Sequence, residues 1–203
     1  MKAIWKTVKT AVVITFFLFA ALIFMININH PSKETSINTN SRFEEVKRYK
    51  PLIQDELEKQ HLEKYTNVLL ALMDQESHGE GGDPMQASES AGLSPNEIKN
   101  PKQSVAIGVR HFRRVLTYGQ QNHVDFPTII QAYNMGTGYI DFVKEHGGKH
   151  TEQLAKKYSM MQVRKKPEVY NCGGNKDNFR YPYCYGDFTY STKVEQNIKS
   201  LTT

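Results

Sequence analysis

From Phe43 onward, apolar residues recur three or four positions apart through most of the chain, the spacing of buried helical faces. Val46, Tyr49, Ile53 and Leu57 predict an amphipathic helix over Phe43–His61, and after a break at LEKYT a second helix is predicted over Thr66–Ser77. A loop rich in Gly, Ser, Pro and acids runs from His78 to Asn100. The next helix is punctuated at both ends, with Asn100 as N-cap, Pro101 in the first turn, an apolar stripe of Val105, Val109, Phe112 and Leu116, and Gly119 as its stop. Further helices are expected from Pro127 to Gly136, from Tyr139 to His146, from Glu152 to Val163 behind Thr151 as cap, and near Tyr190–Ser200. Strand alternation is scarce and no internal repeat is evident, so the expected fold class is mainly α.

The N-terminus follows a different pattern. Lys2, Lys6 and Lys9 precede an uncharged apolar run from Ala11 to Ile26, which addresses the chain to the export machinery. No A-x-A-like cleavage site follows, so residues 1–28 are expected to form an uncleaved single-pass transmembrane helix, with a cleaved secretory signal as the alternative. The lysines would stay in the cytoplasm and everything after the run would lie outside. Residues 29–42, rich in Ser, Thr and Asn, read as a flexible linker to a single domain over 43–203. With 203 residues, 39% of them hydrophobic and 11% aromatic, the chain has room for one core. The formal charge of +5 includes the three N-terminal lysines, so the exported part is only weakly basic. That balance favours anionic wall polymers or lipids as surroundings, and no nucleic-acid motif is present. Cys172 and Cys184 would, if paired, close a short loop worth about 3 kcal/mol. Two cysteines without a CxxC spacing give no structural zinc site.

Candidate chemistry starts on the second helix. Leu69, Leu72, Met73 and Glu76 stand at i, i+3, i+4 and i+7, so Glu76 shares a face with core residues. A carboxyl partly withdrawn from water has a raised pKa and can still hold a proton near neutral pH, as a general acid must. The alternative is that Glu76 caps a backbone segment or pairs with Arg110 or Arg113. Asp74 points elsewhere and reads as solvated. Glu80, Asp83 and Glu89 are close enough in sequence to fold back toward Glu76. The stretch from Asp74 imitates half of a calcium loop, but Met85 stands where the bidentate Glu should be. His146 and His150 have a metal-like spacing, yet Gly147 and Gly148 break the helix that would align them, and both read as solvated loop. No metal or cofactor is expected.

The segments ALMDQES, NPKQSVAIGVRHF and IIQAYNMGTGYI resemble, in order, three signature segments of the lysozyme-like superfamily, which includes goose-type lysozymes and soluble lytic transglycosylases. More narrowly, QESHGEGGDPMQASES is similar to the muramidase domain of CwlT-like wall enzymes found on conjugative elements. The resemblance implies a lysozyme-like fold with a groove for peptidoglycan glycan strands. It places the general acid on Glu76 and suggests Asp83 as the second carboxylate, Gln86 and Ser88 as groove residues, and Tyr133 with Asn134 near the acid and the sugar. Read without the family, Tyr133 would be a core aromatic whose hydroxyl finds one partner. The late segment YGDFTY is similar to a family element that walls the groove, whereas the cysteine-containing stretch before it is not part of the family pattern. The implied activity is that of an N-acetylmuramidase cutting the β-1,4 bond between N-acetylmuramic acid and N-acetylglucosamine. The Asp-Pro pair after the glycine loop favours hydrolysis. A lytic transglycosylase giving 1,6-anhydro ends is the alternative, and a non-catalytic wall-binding subunit is the rival from another class. The implied partners are peptidoglycan, the membrane through the N-terminal run, and a conjugation or secretion machinery. CwlT-like proteins commonly carry a second, peptidase domain, so peptide cleavage is expected from another protein.

Overall fold

The computed structural model describes residues 43–202, and the expected anchor and linker lie outside them. Eight α-helices are found among the described residues: α1 Glu44–Lys47, α2 Lys50–Glu58, α3 Thr66–Ser77, α4 Pro101–Gln121, α5 Phe126–Met135, α6 Gly138–Glu145, α7 Glu152–Lys165 and α8 Tyr190–Thr202. No strand occurs among them, and none of these helices is long and apolar enough to cross a membrane. Three of the helix starts are held by the side chains that the sequence offers. Asn100 accepts from the Lys102 amide, Asp125 from Thr128 and Thr151 from Leu154, each satisfying an amide that the helix itself cannot.

Two expectations change. The helix expected over Phe43–His61 is two helices, because Pro51 sits in the first turn of α2. Its ring would collide with the carbonyl one turn earlier and it has no N–H to donate, so α1 ends and the chain restarts. Gly119 does not stop α4, which runs on to Gln121. This glycine is buried within the helix, and Ile129 of α5 fills the space that a side chain would need.

Helix α3 is apolar almost all round, with Val68 through Met73 buried, which makes it a core helix rather than a surface one. Helices α1 and α2 pack on one side of it, and α8 returns from the end of the chain to cover the other while also touching α5. Helices α4, α5 and α6 pack in succession. This arrangement overturns the reading of Asp74 as solvated. Its carboxylate is 0% exposed, accepts from Asn197 Nδ2 of α8 at 2.9 Å, and lies 3.3 Å from His78 Nδ1. The face that the periodicity assigned to water is the face that α8 covers. His150 is likewise half-buried, with its ring nitrogen Nδ1 2.8 Å from the Tyr139 hydroxyl and its amide donating to Asp125. Cys172 and Cys184 form a disulfide, and Tyr170 beside that loop packs its ring edge-on against Tyr185.

The close approach of α4 and α5 yields a stability test. Gly119→Ala gains about 1 kcal/mol of helix propensity, but the added methyl must displace Ile129, and overpacking of this kind costs about 1–3 kcal/mol. The expected result in urea is a lower midpoint at an unchanged m-value.

Candidate active site

Glu76 occupies the last turn of α3, where the apolar helix runs out toward the glycine loop. It is half-buried, and the Tyr190 hydroxyl at the start of α8 donates to its Oε1 at 2.5 Å. Burial drives the pKa of Glu76 upward, the Tyr190 hydrogen bond opposes this, and the negative charges of Asp83 and Glu89 add to the rise, for a value of about 7 against an ordinary 4.5. Tyr190 is itself buried, and burial together with the nearby Glu76 charge holds its pKa well above the usual tyrosine range, so it remains a neutral donor. With Oε1 engaged by Tyr190, Oε2 has no hydrogen-bond partner among the described residues. Neither Arg110 nor Arg113 pairs with Glu76; Arg113 instead donates to the side-chain oxygen of Gln60.

Asp83 is 4% exposed, and both of its oxygens are occupied. Oδ1 accepts from the Ala87 amide and the Ser104 hydroxyl, and Oδ2 accepts from the Ser88 amide and the Ser88 hydroxyl, over 2.5–3.0 Å. Burial raises its pKa, but the hydroxyls of Ser104 and Ser88 and the two amides outweigh that, and the net shift is downward. Asp83 is therefore an ionised, fully partnered hub. It fastens the glycine loop to α4, where Ser104 also receives the Met85 amide. Ser88 is 1% exposed, and its hydroxyl also accepts from the Ile98 amide, so its place is inside the loop rather than on its surface. Gln86 is exposed, with Nε2 donating to the Asp83 carbonyl and to Asn96 Oδ1.

Tyr133 and Asn134 lie at the end of α5 and do different things. Tyr133 is 8% exposed, and its pKa is driven well above the ordinary value by burial and then by the charges of Glu76 and Asp83, which places its ring within electrostatic reach of the acid. Asn134 is half-buried, and its Oδ1 accepts from the Asp187 amide at 2.7 Å, while its Nδ2 has no partner among the described residues. This bond belongs to a set that zips α5 to the segment leading into α8. Gln131 donates to the Asp187 carbonyl and accepts from the Ser191 amide, and the Tyr185 hydroxyl donates to the Met135 carbonyl. Gly186 is required in this zip: its φ is +64°, and a Cβ would come within 2.7 Å of Asn134 Oδ1. The zip delivers Tyr190 to Glu76. Sequence reasoning reached the YGDFTY segment as a groove wall but not the role of Tyr190 on the acid, because the two residues are 114 positions apart and no local pattern links them. Among the described residues no cluster of His, Cys, Asp and Glu is arranged to hold a metal ion.

Comparison with known proteins bears on the family of the chain. The family model described as Lysozyme-like matches residues 43–198. The membrane protein YocA of Bacillus subtilis strain 168 is 56% identical over 158 residues, covering 78% of this chain and 70% of its own length. The bifunctional muramidase/DL-endopeptidase CwlT of the same strain is 40% identical over 121 residues, covering 60% of this chain but only 36% of its own length. A crystal structure of an NLP/P60-family protein, described as similar to lipoprotein, from Staphylococcus aureus subsp. aureus Mu50 superimposes with a TM-score of 0.64 at 34% identity. That match covers 76% of this chain and 52% of the solved one. The family model spans most of the chain and nearly all of the described helices, so the chain belongs to the lysozyme-like family.

Proposed function

We propose that the domain is a peptidoglycan glycosidase that cuts the β-1,4 bond between N-acetylmuramic acid and N-acetylglucosamine, with Glu76 as general acid. The observation that carries this reading is the placement of the Glu76 carboxyl, half-buried at the end of α3 under the Tyr190 hydroxyl, where burial and the charges of Asp83 and Glu89 raise its pKa to about 7. Its proton goes to the glycosidic oxygen as the bond to the muramic acid C1 breaks, and the leaving sugar departs as an alcohol. The Glu76 carboxylate so formed stabilises the positive charge at C1, then takes the proton of the oxygen that captures it. The carboxylate of Asp83 adds a fixed negative charge. A protein that only bound wall polymers would gain nothing from a carboxyl kept neutral at a cost in stability. The muramidase named among the relatives supports hydrolysis by water. YocA, named a membrane protein, and the lysine-flanked apolar run together support a single-pass anchor that holds the domain outside the membrane.

One observation favours a second reading in which the 6-hydroxyl of the muramic acid captures C1 and leaves a 1,6-anhydro end. Both Asp83 oxygens are already occupied by four donors, so this carboxylate is a weak base for activating water. Mass spectrometry of digested glycan separates the two: hydrolysis gives reducing-end N-acetylmuramic acid, transglycosylation gives anhydro ends, and Glu76 is the acid in both. Asp83→Asn confronts either the Ala87 amide or the Ser88 amide with an NH2 group. It is expected to cost at least about 2 kcal/mol of stability, so the chemistry of the product ends rather than the rate of this variant is decisive.

Glu76→Gln is expected to lower turnover at least about 100-fold while leaving the fold intact, as measured by release of soluble fragments from purified peptidoglycan. Near-normal turnover would remove Glu76 from the reaction. In the wild type, activity is expected to fall as pH rises through about 7, where Glu76 loses its proton.

The same shift makes an independent thermodynamic prediction. Because the folded pKa lies above the unfolded one, the folded state binds more protons between pH 4.5 and about 7, and stability declines as pH rises across that window. The loss is up to about 3 kcal/mol, reduced by the partial exposure of the carboxyl. Glu76→Gln removes that penalty, so the variant is expected to melt higher than wild type at pH 8 and no higher at pH 4.

A further inference from the structure

Beside the site, against α4, lies a pocket of about 250 Å³ lined by Ser90, Ala91, Ile107, Arg110, His111 and Arg114. Arg110 and Arg114 are one helical turn apart and so share a face. Arg114 donates from Nη2 to His111 Nδ1 at 3.0 Å, and His111 Nε2 is 2.9 Å from the Tyr133 carbonyl oxygen. A guanidinium can only donate, so Nδ1 is an acceptor and the proton sits on Nε2, giving a neutral ring. Burial lowers the pKa of His111, the Tyr133 bond opposes this, and the Arg114 charge lowers it further, consistent with that neutral form. The positive charge of the pocket therefore belongs to the two arginines. No carboxylate among the described residues pairs with either one, and the Arg110 guanidinium has no hydrogen-bond partner among them.

Two residues of the pocket adjoin residues that act on Glu76. Ser90 follows Glu89, whose charge acts on Glu76, and His111 packs edge-on against Tyr133 with ring centroids 4.6 Å apart. A strand lying at Glu76 and continuing past Tyr133 toward α4 would bring its substituents to Arg110 and Arg114. Given the glycosidase reading, on which this step rests, we infer that the Arg110–Arg114 pocket is a subsite for a carboxylate carried by the glycan strand being cut. A planar guanidinium matches a carboxylate in two parallel hydrogen bonds, and the buried Ile107 gives the pocket an apolar wall. Muramic acid offers two sources of that one chemistry. Its lactyl carboxyl is free only when no peptide is attached, and when a peptide stem is attached the free carboxylates are those of the stem.

The test compares wild type, Arg110→Gln and Arg114→Gln on peptide-bearing glycan and on peptide-stripped glycan, each also after its carboxyl groups have been converted to amides. Both arginines are exposed, and a thermal melt checks that each variant is folded. The expected result is a fall of about tenfold in kcat/KM for Arg110→Gln on a carboxylate-bearing substrate, the size of one charge-assisted hydrogen bond, that disappears on the amidated counterpart. A fall confined to peptide-bearing glycan assigns the stem, and one confined to stripped glycan assigns the lactyl group. Equal effects on free and amidated substrates, or no effect on any, overturn the subsite while leaving Glu76 in place. A wild type inactive on all four substrates overturns the glycosidase reading and the subsite with it.

Discussion

Four donors converge on the buried Asp83 carboxylate, and much of the site depends on their being there. An ionised carboxylate that is 4% exposed persists only if its lone pairs are taken. Ser88, Ser104 and the amides of Ala87 and Ser88 take them. In doing so they draw the glycine loop onto α4, bury Met85 over Gly108, and fix an anion beside Glu76. Loop geometry and acid chemistry are thereby one interaction: the hydrogen bonds that shape the loop also maintain the charge that helps to keep Glu76 protonated.

Opposite treatment of two carboxyl groups follows from their surroundings. Asp83 is rich in donors and its pKa falls; Glu76 receives one hydroxyl and otherwise faces burial and like charge, so its pKa climbs to about 7. The sign for stability is opposite as well. Asp83 contributes stability above its ordinary pKa, lost as pH falls through its lowered folded value, whereas Glu76 costs stability as pH rises toward its own. The raised pKa of Glu76 is thus a cost to stability at neutral pH that the rest of the fold offsets.

The segment from Tyr185 to Ser191 shows how distant parts of the chain assemble the acid's environment. Asn134, Gln131 and Met135 at the end of α5 hold it by hydrogen bonds, Gly186 lets it approach closely, and Tyr190 arrives on Glu76 at its end. On the other side of Tyr133, His111 and Arg114 extend the polar chain from the carbonyl of that residue into the arginine pocket. Tyr133 is therefore linked both to the charge of Glu76 and, through His111, to Arg114.

What the sequence by itself determined is what local physics controls. Helical periodicity, the capping residues Asn100 and Thr151, and the i, i+7 relation of Glu76 to Leu69 depend on residues within a turn or two, and they located the helices and the acid's place on the core face. The resemblance of three ordered segments supplied the family. Tertiary structure alone decided the rest, because it depends on what packs against each face. Asp74 is buried since α8 returns over it, Gly119 is a packing residue since Ile129 fills its space, and Tyr190 is the partner of Glu76 since α5 zips the chain back to α3. A carboxyl's pKa is set by the donors and charges around it in space, and their identity is written nowhere in the spacing of one helix.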